Sequence, residues 1–275
     1  MLLAIDVGNT NIVIGVFRGE TLVHSWRLTT IRERTSDELG ILISDLCDRY
    51  EIRQSEISGI VIASVVPPLT GTLIAMVTEY FGRVPLLFEP AVNGGIPILI
   101  DNPSEVGADR VVNSIAAFHT YGTGLPIIVI DFGTATTFDA VSAKGEYLGG
   151  VICPGPQIAA DALVQRTAKL PRIDVRKPPR VIGTNTIAAM QAGLFWGYVD
   201  MVEGLVRRMK AELGGAAVVV ATGGLASIVA PESKVVDHID PELTLRGLRL
   251  WWERQPPTKD DPPITQRSTQ NRDRR

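Results

Sequence analysis

The sequence predicts an α/β fold made of two similar halves, and three observations predict it. Short apolar runs rich in Val and Ile alternate with longer stretches of helical spacing. Gly and Pro clusters punctuate the alternation at Pro67-Pro68, Gly94-Gly95, Gly214-Gly215 and Gly223-Gly224. A segment near the start also returns in mid-chain. Leu3-Ala4-Ile5-Asp6-Val7-Gly8-Asn9-Thr10-Asn11 is echoed by Val129-Ile130-Asp131-Phe132-Gly133-Thr134-Ala135-Thr136, with Asp6 and Gly8 falling on Asp131 and Gly133 at an offset of 125 residues. In order along the chain, the runs at 2–5 and 12–17 predict strands flanking the first acidic turn. Residues 36–50 predict a helix, 60–62 a strand and 69–81 a helix, and 106–119 a helix leading into the second copy. There 127–130 predicts a strand, and a second β-like run follows the turn. Residues 186–213 predict a long helix and 218–220 a strand that ends at Gly223-Gly224. The following turn echoes too, Arg18-Gly19-Glu20 against Lys144-Gly145-Glu146. Such a period fits duplicated halves rather than a solenoid of roughly 20–50-residue repeats. The expected division is a first half over 1–118, a second over 119–254 and a disordered tail over 255–275, where four prolines and eight charged residues surround one aliphatic side chain, Ile264.

Composition narrows the function classes. The chain has 275 residues, enough for two compact domains, and 27 basic against 30 acidic residues leave a net charge of −3. That balance argues against a dedicated nucleic-acid binder. Two cysteines, Cys47 and Cys153, make no disulfide framework and suit a reducing, cytoplasmic setting. His24, His119 and His238 are scattered without zinc-ligand spacing. No apolar run approaches the ~18 residues of a membrane span, and the start lacks a basic leader.

The repeated acidic turn suggests phosphate chemistry. Glycine permits a tight turn with positive φ and removes a side chain that would obstruct an anion. Backbone N–H groups in such turns converge on anions. Asn9, Thr10 and Asn11 add neutral donors, and an Asp there can hold a metal ion that neutralises phosphate. A hairpin turn with local Asp and Asn hydrogen bonds explains one copy better; two copies at matching places favour a ligand between them. Gly223-Gly224, after a strand and before a helix, lets backbone approach a ring or phosphate closely.

These three loops in this order resemble the actin, Hsp70 and sugar-kinase superfamily, an actin-like, ribonuclease H-like fold. The match narrows with Val106-Gly107-Ala108-Asp109-Arg110, Asp131-Phe132-Gly133-Thr134-Ala135-Thr136-Thr137, Gly149-Gly150-Val151-Ile152-Cys153-Pro154-Gly155, Thr167-Ala168-Lys169-Leu170-Pro171 and Gly183-Thr184-Asn185-Thr186. Together with the Asp6-to-Asn11 start, these resemble type III pantothenate kinases over roughly residues 1–250. The resemblance implies ATP-dependent phosphorylation of pantothenate to 4′-phosphopantothenate, the entry step of coenzyme A synthesis, by a homodimer. It also implies Mg²⁺ with ATP and a monovalent cation, K⁺ or NH₄⁺. Carried over, Asp6, Val7, Gly8, Asn9, Thr10, Asn11, Ile12 and Val13 bind ATP phosphates, with Asp6 near the magnesium. Thr134, Gly223 and Gly224 also serve ATP, and Asp131 holds the monovalent cation. Gly107, Ala108, Asp109, Arg110 and Thr186 hold pantothenate, and Asp109 is the proton acceptor. One departure is Ile100, where many members carry a tyrosine that contacts substrate.

The residues themselves leave other readings open. Asp109 also suits the first turn of a helix, where the macrodipole favours an acid. Arg110 fits a substrate carboxylate bidentately or ties down a neighbouring loop. Thr184, Asn185 and Thr186 are all N-cap candidates for the following helix. Cys153 reads as a packing residue. A kinase of the same fold acting on a sugar or carboxylate, and a non-catalytic ATP-binding scaffold, are the competing functions.

Overall fold

The computed structural model describes residues 1–256; most of the expected tail, from residue 257, lies outside the described residues. In chain order the elements are β1 (Leu2–Val7), β2 (Asn11–Arg18), β3 (Thr21–Thr29), α1 (Ser36–Arg49), β4 (Gly59–Ser64), α2 (Pro67–Phe81), β5 (Leu86–Leu87), α3 (Pro90–Asn93) and α4 (Ala108–Tyr121). There follow β6 (Ile127–Phe132), β7 (Ala135–Val141), β8 (Tyr147–Pro154), α5 (Pro156–Arg166), α6 (Thr186–Glu212), β9 (Val218–Thr222), α7 (Ala226–Val229), β10 (His238–Ile239) and α8 (Leu243–Glu253).

The two sheets have the same topology. The first runs β3-β2-β1-β4-β5, and the second, taken from its corresponding edge, runs β8-β7-β6-β9-β10. In each, the first strand pairs antiparallel with the second and parallel with the fourth. Asp6 pairs with Val13 and Ala63, and Asp131 with Thr137 and Thr222. The acids therefore occupy equivalent sites near the carboxyl ends of the central strands. The intervening turns differ by one residue. Val7 opposes Ile12 across Gly8 to Asn11, whereas Phe132 opposes Thr136 across Gly133 to Ala135.

The chain divides into two compact units, Met1–Gly95 with Ser104–Val112 and the residues from Thr244 on, and Ile96–Pro103 with Asn113–Leu243. In the first unit β1 is apolar and buried along nearly its whole length, as a central strand covered on both faces should be. Leu3, Ile5 and Ile14 pack against Leu39 and Ile43 of α1 and against Leu69, Leu73 and Val77 of α2. Helix α1 starts in a capping box, Thr35 with Glu38, and α2 starts with Pro67-Pro68, which suits N1 and N2 because no donor is needed there. The opposite face receives α8. A Cβ on Gly15 would meet Leu245 at 2.8 Å, and one on Gly59 would meet Trp252 at 2.4 Å. Trp251 donates its indole N–H to the Asn93 carbonyl at 2.6 Å.

In the second unit Ile128, Ile130, Phe132 and Phe138 pack on Phe195, Val199, Val202 and Val206 of α6. On the other face Ala116 and Ala117 of α4 meet Ile127, Val129 and Val141. The stretch 96–103 joins this unit beside β8, through Tyr147 N–H to the Pro97 carbonyl and Leu99 N–H to the Tyr147 carbonyl, each 2.8 Å. Among the described residues no helix is long and apolar enough to cross a membrane.

Candidate active site

In the first unit the turn after β1 is closed by the Gly8 N–H donating to the Asn11 carbonyl at 2.9 Å. It is braced from the end of β3: the Thr30 hydroxyl donates to the Gly8 carbonyl at 2.7 Å, and the residue's N–H to the Thr10 carbonyl at 2.9 Å. Asn9 and Thr10 are exposed, and Asp6, Gly8, Asn11 and Val13 are half-buried. Val7 and Ile12 belong to the core, so their side chains face away from any ligand. The structure corrects one expectation here. Neither Gly8 nor Gly133 takes a positive φ. Close approach is what favours glycine: a Cβ at residue 8 would lie 3.1 Å from the Asn11 carbonyl oxygen, and one at residue 133 would lie 3.3 Å from that of Ala135.

The Gly107-to-Arg110 segment sits in the same unit, near the end of β1. The Val65 N–H donates to the Val7 carbonyl at 3.0 Å, and Val65 Cγ1 lies 3.8 Å from where a Gly107 Cβ would be. Helix α4 begins at Ala108, which is buried, and places Asp109 in its first turn. The Asp109 carboxylate folds back over the helix start. Its Oδ1 accepts the Arg110 N–H at 2.9 Å and lies 2.6 Å from the position a Gly107 Cβ would take. Glycine at 107 thus makes room for the acid. Burial pushes the Asp109 carboxyl above its ordinary range, against the lowering effects of the Arg110 N–H and guanidinium. A carboxylate lifted in this way is a better proton acceptor than an exposed one.

In the second unit Asp131 ends β6 beside Gly223, which follows β9. Gly223 has φ +93°, and a Cβ there would lie 2.3 Å from Asp131 Oδ1 and 2.6 Å from the Phe132 nitrogen. On the other oxygen, the buried amide of Asn113 donates to Asp131 Oδ2 at 3.1 Å. Thr134 and Gly224 are exposed. The turn at Thr134 is tied to the start of α5: the Gly155 N–H donates to the Thr134 carbonyl at 3.1 Å, where a Gly155 Cβ would lie 2.2 Å from that oxygen. Asp131, Thr134, Gly223 and the α5 N-terminus therefore form one local group.

Of the three N-cap candidates of α6, Asn185 is the cap and accepts the Ala188 N–H at 2.9 Å. Thr186 is the first helical residue, exposed and not used in capping. Ile100 packs near Gly149, its Cγ2 3.5 Å from a Cβ built there. The half-buried Cys153 packs against the second core, and burial raises its thiol, as a packing role requires. Asn113 is the residue sequence reasoning missed. Its only signal was a polar pair, Asn113-Ser114, in a mainly apolar run four residues after Asp109. Among the described residues no group of three or more His, Cys, Asp or Glu is arranged to hold a metal ion.

Comparison with known proteins matches this arrangement to a family. Two solved structures share the fold at low sequence identity. Component A of (R)-2-hydroxyglutaryl-CoA dehydratase from Acidaminococcus fermentans has a TM-score of 0.52 at 14% identity, over 90% of this chain and 94% of that one. The activator of 2-hydroxyisocaproyl-CoA dehydratase from Clostridium difficile has a TM-score of 0.50 at 11% identity, over 90% and 91%. A putative 2-dehydro-3-deoxygalactonokinase from Sinorhizobium meliloti shares the fold too, with a TM-score of 0.55 at 12% identity, over 92% of this chain and 96% of that one. Proteins named type III pantothenate kinase from Moorella thermoacetica and Myxococcus xanthus are each 55% identical over 254 residues, covering 92% of this chain and 99% and 98% of their own. That of Geobacter sulfurreducens is 53% identical, covering 92% and 99%. The family profile described as type III pantothenate kinase matches residues 2–208, and with these relatives it establishes that the chain belongs to the type III pantothenate kinase family.

Proposed function

We propose that this chain transfers the γ-phosphoryl group of ATP to the hydroxyl of pantothenate, giving 4′-phosphopantothenate, the first step of coenzyme A synthesis. Family membership sets the reaction class, and the placing of the Asp109 carboxylate in the first turn of α4, over the space that Gly107 leaves open, is the observation that carries the mechanism. Phosphoryl transfer needs an aligned hydroxyl, compensation of charge on the transferring group and an acceptor for the proton. Asp109 takes the proton from the pantothenate hydroxyl as the O–P bond forms and the bond to ADP breaks. Gly107 and Ala108 keep side-chain bulk away from that carboxylate, and the Arg110 guanidinium pairs with the substrate's carboxylate, as a planar fork suits. Thr186 contributes a hydroxyl to pantothenate, its capping duty being met by Asn185.

The turn from Gly8 to Asn11, in which Asn9 and Thr10 are exposed, binds ATP phosphates, and Thr134, Gly223 and Gly224 also serve ATP. Asp6 is the carboxylate for Mg²⁺, an ion usually held by one or two carboxylates plus substrate phosphates. Asp131 is the oxygen ligand that the family resemblance implies for a monovalent cation such as K⁺, and Gly223 leaves room for its carboxylate. Bound there, a monovalent cation would supply positive charge against the phosphates. Ile100 offers no hydroxyl where many members have Tyr, which alters substrate affinity rather than reaction type. Cys47 and Cys153 are both free thiols, in keeping with a cytoplasmic enzyme. Ile152, Ile158, Leu163, Val181, Ile182 and Ile187 are exposed on β8, α5, the loop after it and the start of α6, and they support a homodimer through this region.

The test incubates purified protein with ATP, Mg²⁺, K⁺ and either pantothenate or a panel of sugars, following ADP. Turnover that depends on pantothenate is expected. Turnover with a sugar alone, or nucleotide binding without any acceptor-dependent turnover, overturns the proposal.

A further inference from the structure

We propose that Asn113 is a positioning residue that fixes the Asp131 carboxylate for cation binding; this rests on the reading of Asp131 as the monovalent-cation ligand. The carboxylate is bounded on both oxygens. Oδ2 accepts the Asn113 Nδ2–H at 3.1 Å, and Oδ1 lies where it would be 2.3 Å from a Cβ on Gly223, space that only glycine leaves open. A donor on one oxygen and a wall of backbone at the other define its plane. Asn113 is 1% exposed, so its amide does not exchange Asp131 for water, and a hydrogen bond to a charged acceptor is among the stronger kinds.

The choice of residue supports this assignment. The Asn113 side chain lies within an apolar helix surface that includes Val112, Ala116 and Ala117, all buried. Packing alone would be served by Leu or Ala. An Asp or Glu at 113 would face Asp131 with like charge, and Lys or Arg would neutralise the carboxylate that the cation is to meet. Asn donates without adding charge, so it orients Asp131 and leaves its negative charge for the ion. Outer-shell donors of this type usually change metal affinity by roughly 10–100-fold when removed.

The experiment measures melting temperature against KCl concentration, with tetramethylammonium chloride holding ionic strength constant, in wild type, Asn113→Ala, Asn113→Ser and Asp131→Asn, without nucleotide or pantothenate. The expected result is a K⁺-dependent rise in wild type and none in Asp131→Asn. In Asn113→Ala the K⁺ concentration for half the rise moves up about tenfold or more, and the K⁺ needed for half-maximal kcat moves with it while KM for pantothenate stays within about threefold. Asn113→Ser keeps a polar group but is too short to reach, so it guards against misfolding of the Ala variant and should show the same displacement. Asn113 variants that melt lower but keep the wild-type K⁺ midpoint overturn the inference and leave the Asp131 assignment standing. A wild type that does not respond to K⁺, or an Asp131→Asn protein that responds normally, overturns the cation reading itself and the inference with it.

Discussion

Replacing Asp109 with Asn removes a proton acceptor and a half-buried charge while leaving the local geometry almost intact. The Arg110 N–H that now meets Asp109 Oδ1 at 2.9 Å can meet an amide oxygen equally well, and the space above Gly107 that holds the carboxylate also holds an amide. The catalytic loss should therefore be that of a missing general base, about 10²–10⁴-fold in kcat, or about 3–5 kcal/mol of barrier, with little change in KM. Stability should move the other way. Burial raises the folded carboxyl above its unfolded value of 3.8, so between those two values the folded state binds more protons than the unfolded one. Wild-type stability then falls as pH rises through that window and stays lower above it, a loss that the non-titrating amide escapes. The Asp109→Asn variant should melt above wild type near pH 8, with the advantage shrinking as pH falls toward 4. For a chain of this size each 1 kcal/mol appears as roughly 2–4 °C. In wild type the acid limb of kcat/KM should also lie above the range of an exposed aspartate. Calorimetry at several pH values beside steady-state kinetics checks both halves. A variant that keeps more than about a tenth of wild-type kcat, or whose melting difference from wild type is the same at every pH, would falsify the assignment.

Two further substitutions probe close backbone approaches. Gly223→Ala brings a Cβ into the Asp131 carboxylate at a φ that side chains rarely adopt, and should cost about 2–4 kcal/mol from strain and overpacking; a melting temperature within 2 °C of wild type, by the roughly 2–4 °C per kcal/mol expected here, refutes it. Gly247→Ala places a Cβ 2.2 Å from the Val112 carbonyl oxygen, so α8 must move off α4 at a cost of about 1–3 kcal/mol. Because Asp109 lies less than one turn from Val112, kcat should fall by more than the lost stability alone explains when both are measured well below the melting transition.

What the sequence revealed follows from how local each signal is. The acidic turns were legible because acid, glycine and small polar residues stand together in a few positions, twice. α1, α2, α4 and α6 were legible because their apolar spacing runs for three turns or more. β3 was not singled out, since its outward residues are polar and it lies at the sheet edge. β8 was read as a motif and not as a strand because Gly149-Gly150 looks like a turn; Gly149 sits where the β7–β8 register shifts, a usual place for glycine in a strand. α8 went unnoticed because Gly247 and two arginines break up a stretch of eleven residues just before the Pro-rich tail. The Asn113–Asp131 contact joins residues 18 apart with no shared motif, so only folding reveals it. The reason first given for Gly8, a positive φ, failed because a residue type records that a side chain is excluded and not which neighbour excludes it.

The comparison of the two halves separates what the duplication kept from what it changed. Both sheets have the same order, both central strands carry an acid at the same register, and each half ends in a helix that belongs to the other unit: residues of α4 from Asn113 on to the second, residues of α8 from Thr244 on to the first. The surroundings of the acids have diverged. Where the first half has Ser64 opposite Val7 at the end of its fourth strand, the second continues into Gly223, and where the first turn spans Gly8 to Asn11, the second is one residue shorter. Two acids with one task would need no such difference. A carboxylate beside exposed Asn and Thr donors suits a hydrated magnesium carried on phosphates, which keeps its waters and needs room. A carboxylate clamped between a buried amide and a glycine backbone suits an ion that is held by the protein itself. The divergence of neighbours around a retained acid therefore supports the proposal, drawn from the family resemblance, that Asp6 and Asp131 serve different cations.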